Sequence, residues 1–350
     1  MPDPVLGAVL ASTVSNIGYV IVVLTLIAFV TYIVINVRRD RPEVGSELVL
    51  APNRMPHHPD EVLEGPVLTR NLAVGLGAIV LISVGLPLYW LGEPARNEGN
   101  QATFDRVAEE RGAEMFAATA DGGLNCAGCH GGMEATGGAA PFTINDANGD
   151  FVASVNWQAP ALNTVLLRFD EEEVTDILVY GRPFSPMPAW GIEGGGALND
   201  QQISNLVAYI RSIQITPEEA QAQAEEGLAL AMDSGQFETE GEALFNLGLY
   251  DGFAGGAFSC GRCHTQGWSY GEPEGDGTGA FGPNLTAVRQ QFPGGAAGFE
   301  EQVAFISEGS VKGQAYGVHG QGSGRMPGFG EMLTEEQIRA IVEYERNLGD

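Results

Sequence analysis

The feature that most constrains this chain is an internal repeat that contains all four of its cysteines. Residues 126–130 (CAGCH) and 260–264 (CGRCH) share the pattern Cys-x-x-Cys-His. The residues around the two patterns also match, in the same order. A chain that repeats one order of motifs in this way is expected to fold as two copies of one unit, not around a single core.

The matching residues extend on both sides of the cysteines. Upstream, Gly112 and Phe116 correspond to Gly241 and Phe245. Downstream, the corresponding segments are 160–162 (PAL) with 283–285 (PNL), 187–191 (MPAWG) with 326–330 (MPGFG), and 199–211 with 334–346. Each of the last two segments begins with Asn or Thr followed three residues later by Gln, which is the capping-box pattern of a helix start. Apolar residues then recur at helical spacing and predict one buried stripe per helix.

Cys-x-x-Cys-His is the attachment motif of c-type haem. Each thiol forms a thioether to one haem vinyl group, and the following His lies beneath the iron as the proximal ligand. A redox dithiol needs no His after its second Cys, and zinc ribbons place their Cys pairs about 15–20 residues apart. Both alternatives therefore fit less well. The sequence predicts two covalently bound haem c groups, on Cys126, Cys129 and His130 and on Cys260, Cys263 and His264.

With these motifs in this order, each repeat resembles a class I cytochrome c domain, a small all-α fold around one covalently held haem. The resemblance covers about residues 105–350. It implies His/Met ligation of both irons, with Met187 and Met326 of the Met-Pro loops as the distal ligands. It also implies that a Pro carbonyl supports each proximal His. The second repeat has the full Gly-Pro-x-Leu segment for this role, whereas Ala159 replaces the glycine in the first.

Two alternatives concern the distal ligands. Any Met is more often a packing residue than a ligand, but of the eight Met only Met187 and Met326 occupy equivalent positions in both repeats. His319, in an insertion before Met326, is the competing ligand and would give a bis-His haem of lower potential. The aromatic residues expected to shield the haems are Trp157, Trp190, Tyr270 and Phe329.

Two apolar runs precede the repeats. Residues 17–37 and 72–91 contain no charged side chain, and each is long enough to cross a hydrocarbon core of about 30 Å as a helix. A cleaved signal peptide is the alternative for the first run, but residues 1–16 lack the basic start it needs. The segment between the runs contains Arg38, Arg39, Arg41, Arg54 and Arg70. By the positive-inside rule this segment is cytoplasmic, and both termini lie outside.

The predicted architecture is therefore all-α, with an N-terminal two-helix transmembrane hairpin followed by two tandem class I cytochrome c domains. The predicted segments are the membrane hairpin 1–92, a linker 93–104, the first domain 105–213, a connecting helix or linker 214–237, and the second domain 238–350.

The chain is strongly acidic, with 45 Asp and Glu against 17 Lys and Arg and a formal net charge of −28. It lacks the basic surface that a nucleic-acid-binding protein needs. Nearly all of the negative charge follows residue 92. It would steer basic partners towards the protein or adapt it to a salty medium, and the sequence does not separate these interpretations. The acidic run 170–173 favours a helix start as much as a docking patch.

His/Met ligation fills all six iron positions, so we expect a relay of single electrons with no catalytic site of its own. The whole arrangement is similar to the di-haem subunit of cbb-type oxidases and to the cytochrome c subunits of bacterial cytochrome bc complexes. This resemblance implies a bacterial cytoplasmic membrane protein whose partners are such respiratory complexes or small redox proteins. The alternatives are an electron-accepting subunit of a periplasmic dehydrogenase and a di-haem peroxidase.

Overall fold

The computed structural model describes residues 20–21, 23–35, 63–182, 185–247, 259–316 and 324–349. The chain divides into two compact units, Met1–Pro94 and Ala95–Asp350. It is mostly helical, with 58% helix and 8% strand. His319 and four of the five arginines predicted to face the cytoplasm lie outside the described residues.

The first unit contains helices α1 (Val23–Ile35) and α2 (Leu68–Leu91), and a π-helical turn at Leu63–Val67 leads into α2. Within the described ranges, the segment Glu64–Leu91 is the one helix long and apolar enough to cross a membrane, with 28 residues and a mean hydropathy of 2.2. Its apolar side chains are exposed along its whole length. Helix α1 covers only part of the first predicted span, so the two-pass topology remains a prediction.

The rest of the chain forms ten helices in its described part. They are α3 (Glu93–Phe116), α4 (Cys126–His130), α5 (Glu171–Tyr180), α6 (Asp200–Ser212), α7 (Pro217–Asp233), α8 (Glu240–Phe245), α9 (Gly261–His264), α10 (Val288–Gln291), α11 (Ala296–Glu308) and α12 (Glu335–Asn347). Short 3-10 helices lie at Thr119–Asp121, Val165–Leu167, Ile192–Gly194 and Trp268–Tyr270. Residues 93–104, predicted as a linker, form the first turns of α3.

The prediction of an all-α fold needs one correction. Strands β1 (Gly138–Asn145) and β2 (Phe151–Ala159) form an antiparallel hairpin in the first repeat, between the Cys-x-x-Cys-His motif and Pro160. The carboxylate of Asp146 closes the turn by accepting hydrogen bonds from the backbone N–H groups of Asn148 and Asp150, at 2.8 and 2.9 Å. Phe142 and Trp157 then stabilise the strands by an edge-to-face contact, with 5.6 Å between ring centroids.

The helix starts predicted from the repeat are confirmed. Asn199 at α6 and Thr334 at α12 each accept a hydrogen bond from the backbone N–H three residues on, and each capping box is complete. The predicted stripes are buried, with Ile203, Leu206 and Ile210 in α6 and Ile338, Ile341 and Val342 in α12. A third capping box, at Thr216, begins α7.

In both repeats a glycine allows the first and last helices to cross at close range. A Cβ on Gly112 would collide with the carbonyl of Asn205 in α6, and a Cβ on Gly241 with the carbonyl of Ala340 in α12. Beside each crossing a Phe from the first helix packs on a Tyr from the last. The pairs are Phe116 with Tyr209, at 5.1 Å between ring centroids, and Phe245 with Tyr344, at 5.4 Å.

Two hydrophobic cores result, one for each repeat. The core of the first repeat contains Phe116 and the stripe of α6. The core of the second repeat contains Phe245, the stripe of α12 and Met332, together with Ala220, Ala224 and Ala231 from α7. The connecting helix α7 therefore packs against the second core by its small residues.

Candidate haem sites

The two motif histidines have the same surroundings. His130 and His264 are each 8% exposed. Nδ1 of His130 lies 2.8 Å from the carbonyl oxygen of Pro160, and Nδ1 of His264 lies 2.8 Å from the carbonyl oxygen of Pro283. Because a carbonyl oxygen can only accept a hydrogen bond, Nδ1 of each ring donates its proton. The other nitrogen, Nε2, keeps its lone pair in a neutral ring and is available as a metal ligand.

Electrostatics keep both imidazoles neutral. Burial lowers the pKa of His130, the Pro160 carbonyl partly opposes this, and the charge of Arg262 lowers the pKa further. Burial also lowers the pKa of His264, opposed by the Pro283 carbonyl. Both rings are therefore in the form that binds iron at neutral pH.

The Met-Pro loops are held in the same way in both repeats. The backbone N–H of Arg182 donates to the Met187 carbonyl at 3.1 Å, and that of Ser310 donates to the Met326 carbonyl at 2.9 Å. A positive-φ glycine ends the preceding helix in each case, Gly181 after α5 and Gly309 after α11, with φ of 71° and 80°. A Cβ on either glycine would lie 2.5–2.8 Å from backbone atoms of the Met-Pro loop. Glycine is therefore required at both positions.

Each candidate distal Met packs against a core that contains a residue of the motif in its own repeat. Met187 packs against the core that contains Ala127 of the first motif, and Met326 against the core that contains Cys260 of the second. Gly282 lies on the ring of His264, where a Cβ would be 2.6 Å from Cε1. The backbone thus holds the imidazole on one side. This donor set, of one neutral imidazole, one thioether and two thiols per repeat, fits a covalently attached haem.

All four cysteines are unpaired. Burial raises the pKa of Cys126 to about 11 and raises that of Cys260 well above its ordinary value. A catalytic dithiol depends on a lowered thiol pKa, so these two residues do not resemble one. Among the described residues, no three His, Cys, Asp or Glu side chains cluster as metal ligands.

Sequence reasoning missed the contacts between the two repeats. Arg262, inside the second motif, donates a hydrogen bond of 2.6 Å from Nη1 to the carbonyl of Gln158 in strand β2. Trp157 packs against Tyr270, with 5.6 Å between ring centroids. These two aromatic residues, predicted to shield haems, thus meet each other at the seam between the repeats. Arg262 stands in the second motif where the first motif has Gly128. This difference is the one feature of the sequence that could have indicated the contact.

A second arginine lies near this seam. Burial is the main cause that lowers the pKa of Arg168 to about 10, and the charge of Arg262 contributes. Its Nε is buried without a hydrogen-bond partner, and its Nη2 donates to the Ala161 carbonyl at 3.3 Å. Two guanidinium groups, of Arg168 and Arg262, therefore lie near this seam.

Comparison with known proteins agrees with the geometry of the first repeat. Residues 107–210 match the family model described as "Cytochrome C oxidase, cbb3-type, subunit III". No curated protein and no solved structure matches the chain. The match covers less than half of the chain, and it shows that the first repeat contains a cytochrome c domain of the kind found in this oxidase subunit, for which covalently bound haem c is implied.

Proposed function

We propose that the protein is a membrane-anchored di-haem c-type cytochrome that relays single electrons in a bacterial respiratory chain. The observation that supports two haems is the equivalence of the two sites. Each has a buried His with Nδ1 bonded to a Pro carbonyl at 2.8 Å, and each has a Met-Pro loop seated on a positive-φ glycine. The second repeat has every one of these features although the family match ends at residue 210.

The residues of each repeat have separate roles. Cys126 and Cys129, or Cys260 and Cys263, would hold the porphyrin, and His130 or His264 would present Nε2 to the iron. Met187 and Met326 would supply the distal sulfur. The bound haem would supply one-electron redox chemistry, and His/Met ligation favours a higher potential than bis-His ligation.

The favoured partner is a terminal oxidase, as a subunit or as its dedicated donor. The family match to an oxidase subunit supports it. The long apolar helix Glu64–Leu91 supports a membrane location. A cytochrome bc complex is the second candidate partner. In either case the haem domains would lie on the outer side of the cytoplasmic membrane, with a two-pass anchor.

Co-purification tests the partner. The protein is extracted from its native membrane in a mild detergent, and the chains that accompany it are identified. Haem–copper oxidase subunits are the expected result. Subunits of a bc complex would select the second candidate, whereas a periplasmic dehydrogenase would contradict the oxidase assignment.

A further inference from the structure

Arg262 belongs to the second Cys-x-x-Cys-His motif, yet its side chain reaches the first repeat. Its Nη1 donates a hydrogen bond of 2.6 Å to the carbonyl of Gln158, near the end of strand β2. On its own side, the guanidinium carbon lies 4.9 Å from the ring centroid of Trp268, which is fully buried. A cation between an indole face and a carbonyl oxygen is attracted from both sides. The charge is therefore fixed at the seam between the repeats.

This position brings the charge close to the proximal histidine of the other repeat. Gln158 lies two residues before Pro160. The Pro160 carbonyl accepts the hydrogen bond from Nδ1 of His130 at 2.8 Å. A guanidinium group keeps its proton at neutral pH, so the Arg262 side chain is charged.

We propose that Arg262 raises the reduction potential of the haem in the first repeat, although it belongs to the attachment motif of the second. The inference rests on the proposed covalent haem at Cys126 and Cys129. Reduction of a ferric iron adds one electron and breaks no bond, so it lowers the charge of the site by one. A fixed cation stabilises that reduced form. Two unit charges about 10 Å apart at an effective dielectric constant of about 20 change an equilibrium constant roughly tenfold.

The test is a potentiometric titration of the full detergent-solubilised chain with dithionite as the electron donor. The two potentials are assigned by the variants Met187→His and Met326→His, because each gives one haem a second His ligand and lowers its potential. We expect Arg262→Gln to lower the equilibrium constant for reduction of the first haem about tenfold. This change lowers its reduction potential by about 59 mV for one electron. Arg262→Lys keeps the charge and should retain most of the original potential.

A second variant leaves the arginine in place. Gln158→Glu puts a carboxylate at the residue whose carbonyl binds Arg262, and its negative charge should lower the first potential in the same direction. The control is Arg339→Gln, which removes a cation of the second repeat that pairs with Glu300 at 2.6 Å and Glu335 at 2.8 Å. Neither potential should shift in this control.

An unchanged first potential in both Arg262→Gln and Gln158→Glu would overturn the inference. An equal shift in Arg339→Gln would also overturn it, because the effect would then be one of overall charge. The mass of the proteolytic peptide that contains Cys126 and Cys129 shows separately whether haem is attached to the first repeat. Its absence from the unsubstituted chain would refute the proposed function instead.

Discussion

Single hydrogen bonds decide which nitrogen of each motif histidine can bind iron. The Pro160 and Pro283 carbonyls both lie 2.8 Å from an Nδ1 atom and fix the proton there. In the proposed function the thioether sulfurs of Met187 and Met326 would supply the second ligand of each iron.

Replacement of either distal Met with Ala should remove the Met–iron absorption band of that haem and lower its potential, because the iron loses a soft thioether ligand. The absorption spectrum and a redox titration of Met187→Ala and Met326→Ala check this. Met133→Ala is the matched control, since Met133 is 41% exposed in the first repeat and should leave both properties unchanged. A spectrum unaffected by one of the two substitutions would show that the ligand of that haem is another residue.

Glu345 should make the stability of the second repeat depend on pH. It is buried in α12, and burial raises its pKa from 4.5 to about 7, opposed by the hydrogen bond from Gln302 at 2.8 Å. Between pH 4.5 and 7 the folded protein holds a proton that the unfolded chain has lost, so the contribution of Glu345 to stability is highest below pH 4.5 and falls as the pH rises to 7. The cumulative loss is on the order of 3 kcal/mol.

Denaturant unfolding at several pH values measures this loss. Glu345→Gln should flatten the dependence. The control Glu343→Gln changes an exposed residue of the same helix and should keep it. An equally steep dependence in Glu345→Gln would contradict the assignment to this carboxyl group.

At the scale of elements, each Met-Pro loop is positioned by the helix before it. A glycine caps the end of each helix, Gly181 after α5 and Gly309 after α11, and the loop backbone lies directly against that glycine. The end of each helix therefore fixes the position of the distal Met relative to the core of the same repeat. Asp170 caps the start of helix α5, where its carboxylate accepts a hydrogen bond of 2.7 Å from the backbone N–H of Glu173. The acidic run 170–173 thus starts a helix, as one of its two interpretations predicts.

Gly181→Ala should destabilise the first repeat and displace its Met-Pro loop. The added Cβ would lie 2.7–2.8 Å from loop backbone atoms at a φ of 71°. The strained φ alone costs about 1–2 kcal/mol, and the collision adds to it. Gly195→Ala separates the two costs, because Gly195 has a φ of 88° with nothing within 4 Å of the added Cβ. Equal loss of stability in the two variants, with the Met–iron band intact in both, would contradict the positioning role.

At the scale of the whole molecule, the two repeats share a seam built from polar and aromatic contacts. Besides Arg262 and the Trp157–Tyr270 pair, it includes Lys312, the one lysine of the chain, whose Nζ lies 3.2 Å from Glu173 and 3.5 Å from Asp176. Exposed ion pairs of this kind contribute little stability. They partly occupy the acidic run 170–173, for which a docking patch was the second interpretation.

The sequence predicted the local features well, because each is set by a few neighbouring residues. The capping boxes at Asn199 and Thr334 and the buried stripes that follow are examples. It missed the β-hairpin, since the short alternating run 138–159 lies among Gly, Ala and Pro residues that suggest a loop. It also missed the role of Arg262, because a contact between distant segments depends on how the two repeats pack and has no local pattern.

Mass spectrometry of the denatured chain tests whether each repeat carries a covalently bound haem. The chain is expressed with the machinery for c-type haem attachment, denatured, and weighed by mass spectrometry. We expect two haem masses on the unsubstituted 37.0 kDa chain, one when Cys126 and Cys129 are both replaced by Ala, and one when Cys260 and Cys263 are. A single haem on the unsubstituted chain, lost with only one of these Cys pairs, would contradict the di-haem account.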